Sequence, residues 1–106
     1  MVNRGDIWLV DLDPTVGSEI RKTRPCVVVS PSEMHDHLRT VIVAPMTTGS
    51  HPAPYRVAAT HDGKTGLTLL DQIRTVDKTW LAKKIGAVPP ETLLTTLNLL
   101  REVFSG

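Results

Sequence analysis

The stretch RPCVVVS, residues 24–30, places an arginine and a proline directly before a run of small and β-branched apolar side chains. A run of this kind, without polar alternation, predicts a strand that is covered on both faces. TVIVAP, residues 40–45, has the same character and predicts a second buried strand. We therefore expect a small sheet whose core forms around these two segments.

Other β-rich segments lie on either side of the two buried strands. IWLVDL at residues 7–12 predicts a first strand, and residues 55–59 predict another. Residues 67–76 predict one long strand with a bulge or a bend, because their apolar positions break strict alternation. HDGKTG, residues 61–66, contains two glycines and predicts a turn between the strand at residues 55–59 and the strand at residues 67–76. This spacing of short strands favours a small antiparallel barrel.

The segment PPETLLTTLNLLREVF, residues 89–104, changes to a helical period. Four apolar residues share one predicted helical face: Leu93, Leu97, Leu100 and Phe104. A second apolar flank widens this face: Leu94, Leu99 and Val103. An amphipathic helix is therefore expected at this end of the sequence, and its width fits either a broad core contact or self-association. The fold class expected is mainly β, a small barrel with this one helix.

Length and composition narrow the class of protein. With 106 residues, the sequence predicts a single domain, residues 1–106. A hydrophobic fraction of 41% and a charged fraction of 22% are ordinary for a folded protein, and a net charge of +1 gives no compositional case for nucleic-acid binding. No apolar run is long enough to cross a membrane and no signal peptide is recognisable, so a cytoplasmic protein is expected.

Several kinds of site are not indicated. Cys26 is the single cysteine, and its valine-rich strand predicts a buried side chain rather than a nucleophile. His35 and His37 form the best histidine pair, but they lie in a polar loop without a third ligand at a defined spacing, so no metal site is expected. The strand–GxxxxGK–helix pattern of nucleotide-binding loops is absent. No cofactor is expected.

Polar residues at the ends of the apolar strands are the better candidates for a site. They are Arg24, Thr47, Thr48, Asp71, Gln72 and Arg74. Burial of such groups is costly, so they must be paired, exposed or facing a ligand. An ion pair between Asp71 and an arginine is the structural alternative. Arginine can hold a phosphate through two parallel hydrogen bonds, and a threonine hydroxyl can donate to a developing negative oxygen, which together suit phosphodiester chemistry without a metal.

These segments resemble the MazF/PemK-type toxins of bacterial toxin–antitoxin modules. The resemblance covers nearly the whole sequence through RGDIWLVDLDPTVGSE (4–19), TRPCVVVS (23–30), TVIVAPMTT (40–48), DQIRTVDK (71–78) and the final helix. It implies an SH3-like or plasmid-maintenance-type barrel that forms a homodimer. It also implies a growth-inhibiting toxin that cleaves single-stranded messenger RNA at short motifs without a metal, and a partner antitoxin with an acidic C-terminal half.

The resemblance also implies roles for individual residues. Arg24 matches the catalytic arginine of the family's RP motif, and Thr47 matches the threonine that follows the VIVAP strand. The implied reaction is attack by the ribose 2′-hydroxyl, which leaves a 2′,3′-cyclic phosphate and a 5′-hydroxyl. Arginine is a poor general base, so either Asp71 or Glu19 could take the proton.

The remaining candidates are assigned more loosely. Gln72, Arg74, Ser18 and Thr48 are possible catalytic or RNA-binding residues. Arg74 could equally be a structural partner of Asp71 or Asp77. Arg21 and Lys22 are expected to attract RNA phosphates generally.

Two departures from the family pattern limit what carries over to this sequence. Ser18 stands where some members have a histidine, and Leu69 stands where some have an arginine. A mechanism that depends on that histidine and arginine cannot be transferred, which favours Arg24 with Thr47.

Two other functions stay open at this point. The same barrel occurs in toxins that bind DNA gyrase without catalysis, but their C-terminal Trp-Gly-Ile is replaced here by Phe104-Ser105-Gly106. The chain could also be an inactive barrel that only binds an antitoxin, although the presence of both Arg24 and Thr47 argues against this.

Overall fold

The computed structural model describes residues 1–12, 23–49 and 51–106. The strands of these parts are β1 (Asp6–Asp11), β2 (Thr23–Val28), β3 (Thr40–Thr47), β4 (Arg56–His61), β5 (Lys64–Leu69), β6 (Arg74–Asp77) and β7 (Leu81–Ala87). The α-helices are α1 (Ser32–His37) and α2 (Pro90–Val103). Short 3-10 turns cover Leu70–Gln72 and Lys78–Trp80.

The strands form one antiparallel sheet around β3. Its order is β4-β5-β3-β2-β1-β7, and β6 pairs with β3 as well. β3 therefore pairs with β2 along one edge and with β5 and β6 along the other. The sheet curls into a half-barrel. The predicted mainly β fold with a final helix is confirmed.

The two strands predicted to be buried carry apolar side chains to both faces of the sheet. Val27 and Val29 belong to one core cluster, which the helix α2 covers. Cys26 and Val28 belong to a second cluster, which includes Trp8 and Trp80 at its margin. Successive side chains of a strand point to opposite faces, so an uninterrupted apolar run requires a core on each side. This explains why RPCVVVS lacks polar alternation.

The long strand predicted over residues 67–76 is interrupted. β5 and β6 pair with the same edge of β3, but the 3-10 turn Leu70–Gln72 separates them. The Leu70 side chain is buried, and its N–H donates to the carbonyl oxygen of Tyr55 at 3.1 Å. The predicted bend is therefore a full turn, and it points Asp71 away from the ladder into solvent.

The hairpin between β4 and β5 is tighter than the predicted turn. Asp62 and Gly63 both have positive φ angles, 51° and 73°, as a two-residue type I′ turn requires. His61 and Lys64 therefore face each other as the first pair of the ladder. Residues 64–66, expected in the turn, belong to a strand.

The sequence patterns did not predict β7. This strand pairs only with β1, and its register shifts twice along that partner. Lys83 and Lys84 are adjacent and both exposed, so this part of β7 lacks the alternation of polar and apolar residues that would predict a strand. Lysines are common on edge strands because they discourage pairing with other chains.

The helix α1 lies in the segment that was predicted to be a loop. His35 is buried there, with its Nε2 2.6 Å from Ser30 Oγ and its Nδ1 3.1 Å from the carbonyl oxygen of Val2. Because a carbonyl can only accept, Nδ1 carries the proton, and Nε2 accepts from the Ser30 hydroxyl. Ser30 Oγ in turn accepts from the N–H of Ile42 at 2.9 Å. His35 thus ties α1 to the sheet, and both of its ring nitrogens are already engaged.

Replacing His35 with alanine is expected to destabilise the fold by about 1–3 kcal/mol, since it leaves buried polar groups without partners. The matched control is His37→Ala, because His37 is exposed on the same helix and its loss should change stability by no more than about 0.5 kcal/mol. Urea midpoints of the two variants measure the difference. Equal midpoints would show that the His35 contacts do not hold α1.

The helix α2 packs through a face shifted from the predicted one. Leu93, Leu99 and Leu100 contact the core, and Thr96 is buried between them. The Thr96 hydroxyl donates to the carbonyl oxygen of Thr92 at 2.8 Å, so its burial leaves no unpaired donor. Phe104, predicted on the packed face, lies just beyond the helix and is 73% exposed. No helix in the described parts of the chain is long and apolar enough to span a membrane.

Candidate active site

The hydrogen-bond ladder between β2 and β3 stops at two prolines, Pro25 and Pro45. The ladder between β2 and β3 ends with the pair Cys26 and Pro45. Beyond this pair β2 continues only along β1, whereas the end of β3 pairs with β5. Proline has no N–H with which to extend a ladder, and Pro25 and Pro45 occupy the two strands at the point of separation. The strands diverge, and a cleft opens between them.

This cleft has a volume of about 370 Å³. It is lined by Arg24, Pro25, Met46, Thr47, Thr48, Ala59, His61, Asp62, Lys64 and Gly66. Arg24, Thr47 and Thr48, which were singled out from the sequence, therefore meet in one site although they come from different strands.

Arg24 lies on β2, opposite Val10 of β1, and its side chain is exposed. Pro25 follows it, and three buried residues, Cys26 to Val28, anchor the strand in the core. No carboxylate in the described parts of the chain forms an ion pair with Arg24. A guanidinium that extends from an anchored strand, lines a cleft and has no ion-pair partner among residues 1–12, 23–49 and 51–106 is suited to bind an anion.

Thr47 ends β3 and offers its hydroxyl beside Arg24. The N–H of Gly49 donates to Thr47 Oγ1 at 3.3 Å, which uses one lone pair of that oxygen and leaves its O–H free to donate. Gly66 of β5 lies directly behind Thr47, where an added Cβ would be 2.7 Å from the Thr47 carbonyl oxygen. The close approach of these two strands fixes the threonine.

The hairpin of β4 and β5 adds three residues that the sequence reasoning did not place in the site. His61, Asp62 and Lys64 line the same cleft as Arg24. The ring of His61 packs against Gly86, and its buried Nε2 lies 3.3 Å from Asp62 Oδ2 without hydrogen-bond geometry. The Asp-Gly turn signal could have found this pair of facing residues, but only the curl of the sheet brings the hairpin to β2.

Asp71 is not among the residues that line the cleft. Arg56 binds its two carboxylate oxygens, with Nε at 3.3 Å from Oδ1 and Nη2 at 3.2 Å from Oδ2. These hydrogen bonds lower the pKa of the Asp71 carboxyl and make it a weaker base. The structural alternative, an ion pair between Asp71 and an arginine, is confirmed. Gln72, in the same turn, is exposed and also outside the cleft lining.

Arg74 has neither of the structural partners that were suggested for it. Its Nη1 donates to the carbonyl oxygen of Leu12 at 3.0 Å, and its guanidinium carbon lies 5.8 Å from the centre of the Trp80 ring. Asp77 instead accepts from the N–H of Thr79 at 2.9 Å. Arg74 therefore holds the end of β1.

Cys26 is buried behind Arg24, as predicted. Burial raises the pKa of its thiol to about 12, although the positive charges of Arg24 and Arg74 oppose the shift. The thiol is protonated at neutral pH and is not a nucleophile. In residues 1–12, 23–49 and 51–106, no three His, Cys, Asp or Glu side chains are grouped so as to hold a metal ion.

Four of the predicted site residues lie outside the described residues. They are Ser18, Glu19, Arg21 and Lys22.

The sequence and the fold were compared with those of known proteins. The family of PemK-like, MazF-like toxins of type II toxin–antitoxin systems matches residues 3–104. The chain belongs to this family. The resemblance drawn from the sequence segments is confirmed.

Relatives within the PemK-like, MazF-like family are named endoribonucleases. The endoribonuclease PemK of Escherichia coli is 36% identical over 110 positions, which cover 98% of this chain and 83% of that protein. The endoribonuclease toxin MazF of Escherichia coli K12 is 37% identical over 92 positions, which cover 84% of this chain and 81% of that protein.

Solved structures share the fold. An endoribonuclease from a mycobacterial species, in complex with its cognate antitoxin, has a TM-score of 0.83 and 25% identity over 98% of this chain and 95% of its own. MazF from Deinococcus radiodurans has a TM-score of 0.81 and 21% identity, and the match covers 99% of this chain and 97% of that protein. The PemK-like, MazF-like barrel therefore extends over almost all of this chain.

Proposed function

We propose that this protein is the toxin of a toxin–antitoxin system and a metal-independent endoribonuclease that cleaves single-stranded RNA. The observation that carries the proposal is the cleft that both Arg24 and Thr47 line. Family membership and the relatives named endoribonucleases support the same activity.

Arg24 is proposed to hold the scissile phosphate. Its guanidinium can bind two non-bridging oxygens in a bidentate manner and can neutralise the charge that builds up on them in the transition state. Thr47 donates its free O–H to the same oxygens. The backbone of Arg24 is anchored by the core strand that follows it, and Thr47 is held by Gly49 and Gly66. Little reorganisation is then needed during the reaction.

The nucleophile in this reaction belongs to the substrate. The ribose 2′-oxygen attacks the adjacent phosphorus, and the bond from phosphorus to the 5′-oxygen of the next nucleotide breaks. The 2′-hydroxyl loses its proton and the departing 5′-oxygen gains one, so the products are a 2′,3′-cyclic phosphate and a 5′-hydroxyl. Asp71 does not line the cleft, and Arg56 lowers the pKa of its carboxyl, so Asp71 is disfavoured as the base and Glu19 is the other proposed base. Such a mechanism needs no activated serine or cysteine.

The test is to incubate the purified protein with a long single-stranded RNA in the presence of EDTA. Discrete fragments are expected, because cleavage at short motifs gives defined ends and Arg24 supplies the positive charge that a metal would otherwise provide. Polynucleotide kinase should label the new ends without prior phosphatase treatment, which identifies them as 5′-hydroxyls.

Two results would contradict the proposal. Cleavage that EDTA abolishes and added Mg²⁺ restores would show a metal-dependent enzyme. Intact RNA in both conditions would instead favour a toxin that binds its target without cleaving RNA.

The proposal extends to partners and location. The protein is proposed to act in the cytoplasm, as one domain over residues 1–106, against messenger RNA, and to be blocked by a small antitoxin with an acidic segment. A homodimer is proposed because Leu94 and Val103 of α2 and Phe104, just beyond the helix, are exposed by 59%, 38% and 73%. Sedimentation equilibrium would contradict the dimer if it gave the mass of one chain at micromolar concentration.

A further inference from the structure

We propose that Lys64 binds a second RNA phosphate, next to the scissile phosphate at Arg24, so that the cleft holds one nucleotide between two cations. This inference rests on the proposed RNA cleavage. It assigns a role to the hairpin of β4 and β5, which the sequence motifs left without a function.

Lys64 has a defined backbone position in the hairpin of β4 and β5. It is the first residue of β5 and lies opposite His61, directly after the type I′ turn of Asp62 and Gly63. A two-residue turn of this type fixes the register of the hairpin. β5 is also paired to the end of β3 at Thr47. The backbone of Lys64 is therefore held at a defined place relative to Thr47.

Neither Arg24 nor Lys64 forms an ion pair with a carboxylate in the described parts of the chain. Asp62 is the one carboxylate among the described residues lining the cleft, and its oxygen lies 3.3 Å from His61 Nε2. The two cations, Arg24 and Lys64, therefore outnumber the negative charge among the described residues that line the cleft. Two cations that form no ion pair with any described carboxylate therefore line one cleft, which is the pattern expected for a ligand with more than one negative charge.

A cleft of about 370 Å³ lies at the lower end of the range of roughly 300–1,000 Å³ found for small-molecule sites. This is enough space for a single nucleotide unit. Such a unit carries a phosphate on each side of its ribose. Pro25, Met46 and Ala59 give the cleft an apolar surface on which the sugar and base can rest, while the phosphates bind the cations.

The test measures binding to an RNA oligonucleotide that contains the cleavage motif mapped with the wild-type protein. The nucleotide 5′ of the cut carries 2′-deoxyribose, which removes the nucleophile and prevents cleavage. Lys64→Ala is expected to weaken binding roughly tenfold at low salt. It should also reduce the slope of log affinity against log salt concentration by about 0.7, which corresponds to one phosphate contact on a single strand.

Lys83→Ala is the matched control. Lys83 is exposed on β7 and does not line the cleft, so the variant removes the same charge without touching the site. Its affinity and salt slope should equal those of the wild type. Lys64→Arg keeps the charge and should restore binding, and unchanged thermal melting checks that each variant is folded.

A neutral methylphosphonate identifies the phosphate that Lys64 contacts. It is placed in turn on each of the two phosphates that neighbour the scissile one. In the wild-type protein, one of these substitutions should weaken binding roughly tenfold, whereas in Lys64→Ala the same substitution should have no effect. On cleavable RNA, Lys64→Ala should raise KM and leave kcat unchanged, since a contact to a neighbouring phosphate is the same in the ground and transition states.

The outcomes separate this inference from the proposed function. If the wild type cleaves RNA but Lys64→Ala behaves like Lys83→Ala, the second phosphate site is wrong and the proposed activity stands. The same conclusion follows if the losses from Lys64→Ala and from each methylphosphonate simply add. If the wild type does not cleave RNA, both proposals are wrong.

Discussion

Replacing Arg24 with alanine is expected to lower kcat/KM for RNA cleavage by at least about 100- to 1,000-fold, the cost of removing a fixed donor to a developing oxyanion. The physical reason is that Arg24 has no ion-pair partner among the described residues, so none of the described carboxylates competes with the phosphate for its charge. Single-turnover cleavage of a labelled RNA with one mapped motif measures the effect. Because the side chain is exposed, stability should change by no more than about 0.5 kcal/mol.

Two further variants sharpen this result. Arg39→Ala removes one positive charge from an exposed arginine outside the cleft lining and should cleave RNA as the wild type does. Arg24→Lys keeps the charge but loses the bidentate grip, so its rate should lie between those of the wild type and Arg24→Ala. A folded Arg24→Ala protein that cleaves at the wild-type rate would refute the assignment of the active site.

Replacing Gly66 with alanine is expected to damage both stability and activity. The new Cβ would lie 2.7 Å from the carbonyl oxygen of Thr47 and 3.2 Å from its carbonyl carbon. These are backbone atoms that cannot rotate away, so β3 and β5 must separate, at a cost of about 1–3 kcal/mol. Thr47 moves with β3, and a displacement of about 1 Å at a catalytic group can lower a rate roughly 100-fold. Urea midpoints and single-turnover rates measure the two effects.

Gly49→Ala is the matched control for this prediction. Gly49 is also next to Thr47, but nothing lies within 4 Å of the position of its added Cβ. Its N–H, which donates to Thr47 Oγ1, is retained in the variant. Stability and rate should therefore stay close to the wild type. Wild-type behaviour of Gly66→Ala would show that the close approach of β5 does not fix the threonine.

The position of the cleft follows from the chemistry of proline. Inner strands of a sheet are normally hydrogen-bonded along their length and leave no cleft between them. Here the ladder between β2 and β3 stops at Pro45 and Pro25. The strands then part towards different neighbours, and Arg24 and Thr47 stand on the two sides of the opening. The RP and AP dipeptides therefore do more than end strands, because they create the space that the two catalytic candidates share.

The cleft is lined by some of the residues that the sequence singled out and not by others. Arg24 and Thr47 were found because each one adjoins a long apolar strand, which is a local pattern. Asp71 was set beside them because it adjoins a strand as well, but Arg56 binds it outside the cleft lining. Nothing in the spacing of Arg56 and Asp71 indicates this pair, since their meeting depends on how β4 packs against the turn.

The sequence by itself determined which segments enter the core. The apolar runs at residues 24–30 and 40–45 predict strands covered on both faces, and the helical period near the C-terminus predicts α2. These features depend on the periodicity of neighbouring residues, which the order of amino acids contains directly. The same order carries the segments that place the chain in its toxin family.

The tertiary structure alone decided what surrounds those segments. His35 stabilises α1 through its contacts with Ser30 and Val2, and the sequence pattern of a helix does not predict such contacts. The edge strand β7 depends on β1 for its hydrogen bonds, and its two adjacent lysines break the pattern that would predict a strand from the sequence. Lys64 reaches the cleft because the curled sheet brings the β4–β5 hairpin to β2. Each of these features arises from contacts between residues far apart in the chain, and local propensity does not encode such contacts.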